Sequence, residues 1–202
     1  TLFNVTSGLL KPNEGSVRFN NELMTDLSPY RRAKLGLGRT FQRLELFPSL
    51  SVEENIQVAA EIRGEWSQSS IGTSSVIRSV QQVMKLTGLD SIGSKSVAEI
   101  PTGKARLVEL ARTIVQGPSM LLLDEPASGQ NENETEEFAQ ILKILNTEGI
   151  TILLVEHDMS LVMDVCDKVF VLDFGTLIAD GTTQEIQNNP VVIDAYLGGA
   201  NG

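Results

Sequence analysis

Two uninterrupted apolar runs constrain the fold of this chain more than any other feature. They occupy residues 120–123 (MLLL) and 150–155 (ITILLV), and each is followed by acidic residues. Between them, residues 133–149 show the spacing of an amphipathic helix with acidic residues in its first turn. Strands that are apolar on both faces and are separated by helices are typical of a parallel sheet covered on both sides. The sequence therefore predicts an α/β fold with a mainly parallel sheet.

The rest of the chain predicts further elements around this sheet. Residues 16–24 alternate weakly, as a short strand and turn do, and residues 37–42 predict a brief strand that ends at Gln42. Residues 168–175 and 176–181 predict a strand and its hairpin partner. Helices are predicted, from their apolar spacing and capping residues, over residues 1–10, 28–36, 51–63, 76–89 and 104–117. The Ser- and Gly-rich segment 64–75 predicts a mobile loop.

The helices between residues 51 and 117 follow one another without intervening strands, which predicts a helical lobe separate from the sheet. We therefore expect three parts: residues 1–46 as the first part of a sheet-containing core, 47–117 as the helical part, and 118–202 as the second part of the core.

Composition excludes several function classes. The net charge of −10 over 202 residues argues against nucleic-acid binding, which depends on Lys and Arg. The single cysteine, Cys166, cannot form an internal disulfide and suits a reducing compartment. Because no apolar run approaches the roughly 20 residues of a membrane span, a membrane role would require a partner.

Two carboxylates follow the first apolar run. Asp124 and Glu125 are expected at the carboxyl end of a parallel strand, where ligands bind in open α/β sheets. Asp124 is a candidate ligand for Mg²⁺, partly through water, and Glu125 is a candidate for orienting or deprotonating an attacking water. The alternative interpretation is a strand that ends in two solvated acids before a proline turn.

Two further candidates are expected at the same edge of the sheet. His157, the only histidine, follows the second apolar run, and Gln42 ends the predicted strand 37–42. Taken alone, a His or a Gln at such a position is more often a structural residue than a functional one. Together with Asp124 and Glu125, they predict a polar site built from several strands at one edge.

In this order, these elements resemble the ATP-binding subunit of an ABC transporter, a P-loop NTPase cassette with an inserted helical subdomain. The resemblance identifies Gln42 with the Q-loop glutamine, MLLLDE with Walker B, and His157 with the switch histidine. It also identifies residues 127–131, with Ser128, Gly129, Gln130 and Asn131, as the D-loop. The stretches GLGRTFQRLELFPSLSVEEN and NNPVVIDAYLGG look like the branched-chain (hydrophobic) amino-acid uptake group.

The resemblance implies a function. ATP and Mg²⁺ would bind at the site, with Glu125 and His157 catalytic and with Asp124 and Gln42 near the metal. The chain would power an importer of branched-chain or other amino acids from the cytoplasmic side of the cell membrane. Its partners would be permease subunits, a second cassette, identical or paralogous, and indirectly a substrate-binding protein. A non-transport ABC ATPase and a catalytically degenerate remnant are the alternatives.

Three departures from the family pattern bear on that function. In the signature segment, Pro101, Thr102 and Lys104 stand where Ser, Gly and Gln are usual, and Gly103 is kept. Gln130 and Asn131 replace Leu and Asp in the D-loop. Thr1 matches the residue just after the family's Gly-rich phosphate loop (Walker A), so Thr1 would lie beside nucleotide. We expect the chain as given to lack that loop and to be inactive without it.

Overall fold

The structure, a computed structural model, describes residues 1–66 and 79–198. It divides into two compact units, residues 1–155 and 156–202, and each is described below by itself.

The first unit contains the parallel sheet that the apolar runs predict. Strands β3 (Leu37–Arg39), β4 (Met120–Asp124) and β5 (Thr151–Val155) pair in the order β3-β4-β5. Both pairings are parallel, with Gly38 opposite Leu121 and Asp124 opposite Val155. The side chains of residues 121–123 are fully buried, as expected for a central strand covered on both faces. The prediction of a parallel α/β sheet is confirmed.

A small hairpin precedes this sheet. Strands β1 (Arg18–Phe19) and β2 (Glu22–Leu23) pair antiparallel, so the predicted single strand and turn over residues 16–24 is two short strands. Phe3, Met24, Leu37 and Leu122 form a buried cluster below them. This cluster packs the first helix and the hairpin against β3 and β4.

The first helix, α1 (Leu2–Ser7), is shorter than the predicted helix 1–10. It ends at Gly8, whose φ of 83° lies in the left-handed region that stops a helix. The buried Arg32 guanidinium then donates to the carbonyls of Val5 and Thr6, both at 2.7 Å. Arg32 belongs to α2 (Pro29–Lys34), which has the predicted Ser28 N-cap and Pro29 at its first position. Arg32 thus bonds to the Thr6 carbonyl at the end of α1 and adds a second donor to Val5 O, which already accepts from Gly8 N at 3.2 Å.

Three longer helices pack together beside the sheet: α3 (Val52–Trp66), α4 (Val80–Leu86) and α5 (Thr102–Ile114). Short 3₁₀ helices, Asp90–Ile92 and Val97–Glu99, join α4 to α5. The predicted loop 64–75 is wrong for residues 64–66, which continue α3. Residues 67–75 of that loop, and residues 76–78 of the predicted helix 76–89, lie outside the described residues.

Helix α5 packs closely on β3. A Cβ at Gly38 would lie 2.8 Å from Thr113 Cγ2 and 3.0 Å from a Leu121 methyl, so glycine is needed where helix and strand meet. Helix α6 (Glu132–Thr147) then connects β4 to β5 and buries Phe138, Leu142 and Leu145. No helix within residues 1–66 and 79–198 has the length and apolar character needed to cross a membrane.

The second unit contains an antiparallel hairpin with three helices. Strands β6 (Val169–Asp173) and β7 (Thr176–Gly181) pair as predicted. Helices α7 (Met159–Val165), α8 (Thr183–Gln187) and α9 (Pro190–Gly198) complete the unit, with Leu161, Val162 and Ile186 buried.

Candidate active site

Asp124 is the last residue of β4, and its carboxylate faces an arginine from the neighbouring strand. Arg39 Nη2 lies 3.3 Å from Asp124 Oδ2. The Arg39 Nη1 atom donates to Ser7 Oγ of α1 at 2.7 Å, and the guanidinium lies over the rings of Phe3 and Phe41. Arg39 is therefore the link between the carboxyl end of β4 and helix α1.

Glu125, the next residue, has a backbone conformation that sequence patterning does not predict. Its φ of 46° lies in the left-handed region, which costs a residue with a Cβ roughly 1–2 kcal/mol. The Glu125 N–H donates to Val155 O at 2.9 Å, which holds it at the end of β5. Strain of this kind is found where a side chain must be aimed. Here it places the carboxylate next to Gln42, whose Nε2 donates to Glu125 Oε2 at 3.4 Å.

Gln42 lies in a loop and not at the end of a strand. The predicted strand 37–42 is wrong after Arg39, because the backbone partners change there. Thr40 N still donates to Leu122 O of β4 at 3.0 Å, but Phe41 N donates to the Glu109 side chain at 3.2 Å. Residues 41–47, called the Gln42 loop below, therefore leave the sheet.

Three side chains on one face of α5 hold this loop. Arg106 donates to Phe41 O at 3.1 Å and to Gln42 O at 2.7 Å, and Arg112 donates to Glu45 O. Glu109 accepts from Phe41 N and lies 3.5 Å from Arg106 Nη1. Residues spaced three apart in a helix lie on the same face. Helix α5 thus presents two cations and one anion to the loop.

Burial changes the ionisation of this group of side chains. It raises the pKa of the Glu109 carboxyl above its ordinary value, while the Phe41 N–H and the neighbouring arginines oppose the rise. Burial also lowers the pKa of Arg112, and the nearby carboxylates Glu109 and Glu45 oppose that change. The α5 face is therefore a desolvated ionic network in which each charge depends on its neighbours.

The far end of the Gln42 loop is held by α3. The fully buried Asn55 accepts from Phe47 N at 2.9 Å and donates to Phe47 O at 3.1 Å. Its amide also donates to Leu50 O and Ser51 O. One side chain therefore fixes the point where the loop joins α3.

The signature segment, residues 101–104, forms the start of α5. Pro101 is at the N-cap position, and Thr102, Gly103 and Lys104 are in the first turn. Gly103 is buried, and the Glu134 carboxylate of α6 occupies the space that a Cβ would need. Lys104 pairs with Glu137 of α6 at 3.3 Å. The beginning of α5 thus faces acidic side chains at the beginning of α6.

Residues 125–131, called the Glu125 turn below, include the predicted D-loop. Ser128 N donates to Glu125 O at 3.2 Å and Gln130 N donates to Ala127 O at 3.0 Å. Gly129 has a φ of 81°. Asn131 is the N-cap of α6 and forms a capping box with Glu134, with both bonds at 3.0 Å. The turn is held by its own residues, by the helix that follows it and, at Glu125, by Val155 O of β5.

His157 belongs to the second unit, between β5 of the first unit and α7. Its side chain is 72% exposed, and Nδ1 lies 3.5 Å from Glu156 Oε2. That carboxylate also accepts from the backbone N–H groups of His157 and Asp158. Asp158 caps α7, and its bonds to Ser160 and Leu161 lower its pKa below the ordinary value. Glu156 and Asp158 together determine the backbone position of His157.

The predicted site residues therefore fall into separate groups. Gln42 and Glu125 are in contact, and Asp124 is next to them along β4. Thr1 is the exposed N-cap residue of α1, the helix that Ser7 connects to Arg39. Residues 101–104 contact α6, and His157 lies in the second unit.

The donors at the carboxyl end of β4 fit Mg²⁺ bound through few protein ligands. The described residues contain no group of three or more acidic, His or Cys side chains that would form a complete metal cage. Asp124 supplies carboxylate oxygens, and Gln42, whose Nε2 faces Glu125, supplies an amide oxygen. Oxygen donors in small number suit Mg²⁺, which keeps water or phosphate oxygens as its other ligands.

Sequence patterning missed the residues that support Gln42 and Asp124. Arg39 reads as an ordinary strand residue, and Arg106, Glu109 and Arg112 read as the solvated face of an amphipathic helix. The sequence does contain one indication of their role. Helix α5 carries apolar residues on more than one face, which indicates that it is buried on most sides. Glu109 is 6% exposed within that helix. A charged residue in such a helix needs a buried partner.

Comparisons with known proteins identify the family of the chain. The family model described as ABC transporter matches residues 1–128, and one described as branched-chain amino acid ATP-binding cassette transporter matches residues 176–201. The high-affinity branched-chain amino acid transport ATP-binding protein LivG of Escherichia coli (strain K12) is 36% identical over 210 residues. BraF of Pseudomonas aeruginosa, with the same description, is 35% identical. Each match covers 99% of this chain and 82% of the relative.

A solved structure shows the same fold. The ADP conformation of MJ1267, an ATP-binding cassette of an ABC transporter, superposes with a TM-score of 0.81 at 26% identity. The match covers 98% of this chain and 82% of that one. Because a family model matches more than half of the chain and relatives above 30% identity match nearly all of it, the chain belongs to the ATP-binding subunits of ABC transporters and is related, within them, to the branched-chain amino-acid transport proteins.

Proposed function

We propose that this protein binds and hydrolyses ATP to power an importer of branched-chain or other amino acids. The observation that carries the proposal is the contact between Gln42 and Glu125 at the carboxyl end of β4, with Glu125 in a left-handed conformation. Ligands of open α/β sheets bind at this edge. The relatives LivG and BraF are branched-chain amino acid transport proteins by name, and they supply the transported class.

In the proposed mechanism, Glu125 orients and deprotonates the water that attacks the γ-phosphate. Gln42 holds the Glu125 carboxylate in place, and His157 donates to the transferred phosphate as negative charge develops on it. Asp124 and Gln42 would hold Mg²⁺. When bound, Mg²⁺ supplies positive charge that neutralises the phosphates. Arg39 lies 3.3 Å from the Asp124 carboxylate. This contact offsets part of its negative charge and restricts its orientation.

Two copies of the cassette, identical or paralogous, would enclose ATP between them. Thr1 would lie at one nucleotide, and Pro101, Thr102, Gly103 and Lys104 would contact the nucleotide of the partner. The D-loop residues Ser128, Gly129, Gln130 and Asn131 would lie at the contact between the copies. Gly103 and Lys104 now contact Glu134 and Glu137 of α6, so both carboxylates would have to turn away before phosphate could approach.

Permease subunits would be the membrane partners, with residues 47–117 as the helical subdomain that transmits motion to them. A substrate-binding protein would act indirectly, and the subunit would be cytoplasmic and peripheral on the inner face of the membrane. A non-transport ABC ATPase and a degenerate remnant, the two alternatives, gain no support from the relatives described above, which are transport proteins by name.

Replacing Glu125 with Gln tests the proposed hydrolysis. In the full-length protein, turnover of ATP should fall by roughly 100-fold or more, while binding of a fluorescent ATP analogue is retained. The matched control is Glu136→Gln on the exposed face of α6, which removes the same charge away from the site. His157→Ala should also slow hydrolysis strongly. Near wild-type turnover by Glu125→Gln would remove Glu125 from the catalytic role.

Uptake measurements test the proposed substrate. Cells that depend on this protein should accumulate radiolabelled leucine, isoleucine and valine, and the Glu125→Gln variant should abolish that accumulation. Uptake that is unchanged by the variant would separate the ATPase from amino-acid transport.

A further inference from the structure

We infer that Arg106 and Glu109 of α5 are positioning residues for hydrolysis, because they hold the backbone on both sides of Gln42 and thereby keep Gln42 against Glu125. The inference rests on the proposed ATPase function and adds two residues to it. Neither side chain touches the reacting groups, so both would act through Gln42.

The Gln42 loop cannot hold itself. Among the described residues, no backbone-to-backbone hydrogen bond involves residues 41–46. The peptide groups of this stretch instead bond to side chains from α5. Because the protein partners of the Phe41 and Gln42 peptide groups are side chains of α5, the position of that helix determines the position of the loop.

Arg106 bonds to the backbone carbonyl groups on both sides of the Gln42 Cα. Its Nη1 donates to Phe41 O at 3.1 Å and its Nη2 donates to Gln42 O at 2.7 Å. These carbonyls belong to the peptide groups that precede and follow the Gln42 Cα, so one planar guanidinium restricts both backbone torsions of that residue. A bond to one carbonyl alone would leave one torsion free.

Glu109 bonds to the same part of the loop and also pairs with Arg106. Its carboxylate accepts from Phe41 N at 3.2 Å and lies 3.5 Å from Arg106 Nη1. The side chains of Arg106 and Glu109 are only 11% and 8% exposed. In such a desolvated place, hydrogen bonds to a charged group are stronger than in water, and the two side chains orient each other.

The contact between Gln42 and Glu125, which depends on the position of this loop, is weak. Gln42 Nε2 and Glu125 Oε2 are 3.4 Å apart, close to the outer limit for a hydrogen bond. A small displacement of the loop would break it. The signature segment, residues 101–104, forms the start of α5. A movement of that segment would therefore shift Arg106 and Glu109 and, through them, the backbone of Gln42.

The experiment compares Arg106→Met, Glu109→Leu and Glu109→Gln in the full-length protein. Glu109→Gln keeps an oxygen that can accept from Phe41 N. The matched control is Thr113→Val, a change at a buried α5 residue whose hydroxyl bonds only within the helix, to Glu109 O at 3.0 Å. Hydrogen–deuterium exchange of the Phe41 amide, whose N–H donates to Glu109, should accelerate in Glu109→Leu and also in Arg106→Met, where Glu109 loses the cation that orients it. Exchange should stay near wild type in Glu109→Gln and Thr113→Val.

Kinetics separate positioning from a purely structural role. We expect kcat to fall about 10- to 100-fold in Arg106→Met and Glu109→Leu while KM for ATP stays within about threefold, since misplaced catalytic groups lower kcat. The same substitutions made with Gln42→Ala should add less than about a twofold further loss, because residues acting through one group are not additive. Glu109→Gln should restore most of kcat.

Three outcomes would overturn the inference: unchanged exchange in the folded variants, a rise in KM in place of a loss in kcat, or a full additional loss in the Gln42→Ala background. Failure of the proposed function would look different. A wild-type protein without ATPase activity would refute that function, while the exchange measurement would still decide whether α5 holds the loop.

Discussion

The Gln42 loop and the Glu125 turn leave neighbouring strands at the same edge of the sheet, but different parts of the chain hold them. The Gln42 loop depends on α5 side chains that are more than 60 residues away in sequence and, at its far end, on Asn55 of α3. Apart from the bond of Glu125 N to Val155 O of the neighbouring strand, the Glu125 turn depends on its own backbone bonds and on the capping box of the helix that follows. The first loop therefore moves with the helices, whereas the second is an extension of β4 and α6.

The difference suits the two roles proposed for these segments. Glu125 must keep a fixed relation to Asp124, and a local turn provides that fixed relation. Gln42 must respond to distant events, and a loop held by distant side chains provides that response. The contact between them, at 3.4 Å, joins the rigid part of the site to the responsive part.

The largest expected effect comes from removing the α3 anchor of the Gln42 loop. Asn55→Leu should lower the free energy of unfolding by roughly 1–3 kcal/mol, because it leaves the Phe47 N–H without its acceptor and removes a side-chain donor from the Phe47 carbonyl. Urea unfolding followed by circular dichroism measures this. The control, Gln57→Leu, changes an exposed residue of the same helix whose amide bonds only to Glu61. Equal losses in the two variants would show that Asn55 does not anchor the loop.

An intermediate effect is expected in the Glu125 turn. Asn131→Ala should cost about 1 kcal/mol, the usual value of an N-cap side chain, because it removes half of the capping box with Glu134. Asn131→Asp keeps an oxygen for the Glu134 N–H and places a negative charge at a helix N-terminus, so it should be at least as stable as wild type. Thermal unfolding compares the three proteins. A loss in Asn131→Asp equal to that in Asn131→Ala would contradict the local anchoring of the turn.

The same contrast explains what the sequence could predict. The start of the Glu125 turn is visible in sequence, because Asp124 and Glu125 follow an apolar run, whereas the Asn131–Glu134 capping box was not identified and the helix was predicted to begin at residue 133. The sheet, the hairpin β6–β7 and most helices were predicted for the same reason, since local periodicity and caps define them.

The anchors of the Gln42 loop were not predictable in this way. Glu109 and Phe41 are 68 residues apart, and no local pattern connects them. The strand 37–42 was overextended because alternation alone does not show that Phe41 N bonds to a side chain. The left-handed conformation of Glu125 was also missed, since glutamate carries no sequence signal for positive φ.

The smallest expected effect concerns that conformation. At Glu125, Gly removes the steric cost of the left-handed region, about 1–2 kcal/mol, but has more freedom to lose on folding, about 0.5–1 kcal/mol. Glu125→Gly should therefore be more stable than Glu125→Ala by roughly 0.5–1 kcal/mol, although both lack the carboxylate. The comparison with Ala is needed because both variants lose the contact with Gln42. Urea unfolding of the two variants measures the difference. A more stable Ala variant would mean that residue 125 relaxes to negative φ when the carboxylate is removed. The rigidity assigned to the Glu125 turn would then come from the contact with Gln42 and not from the turn itself.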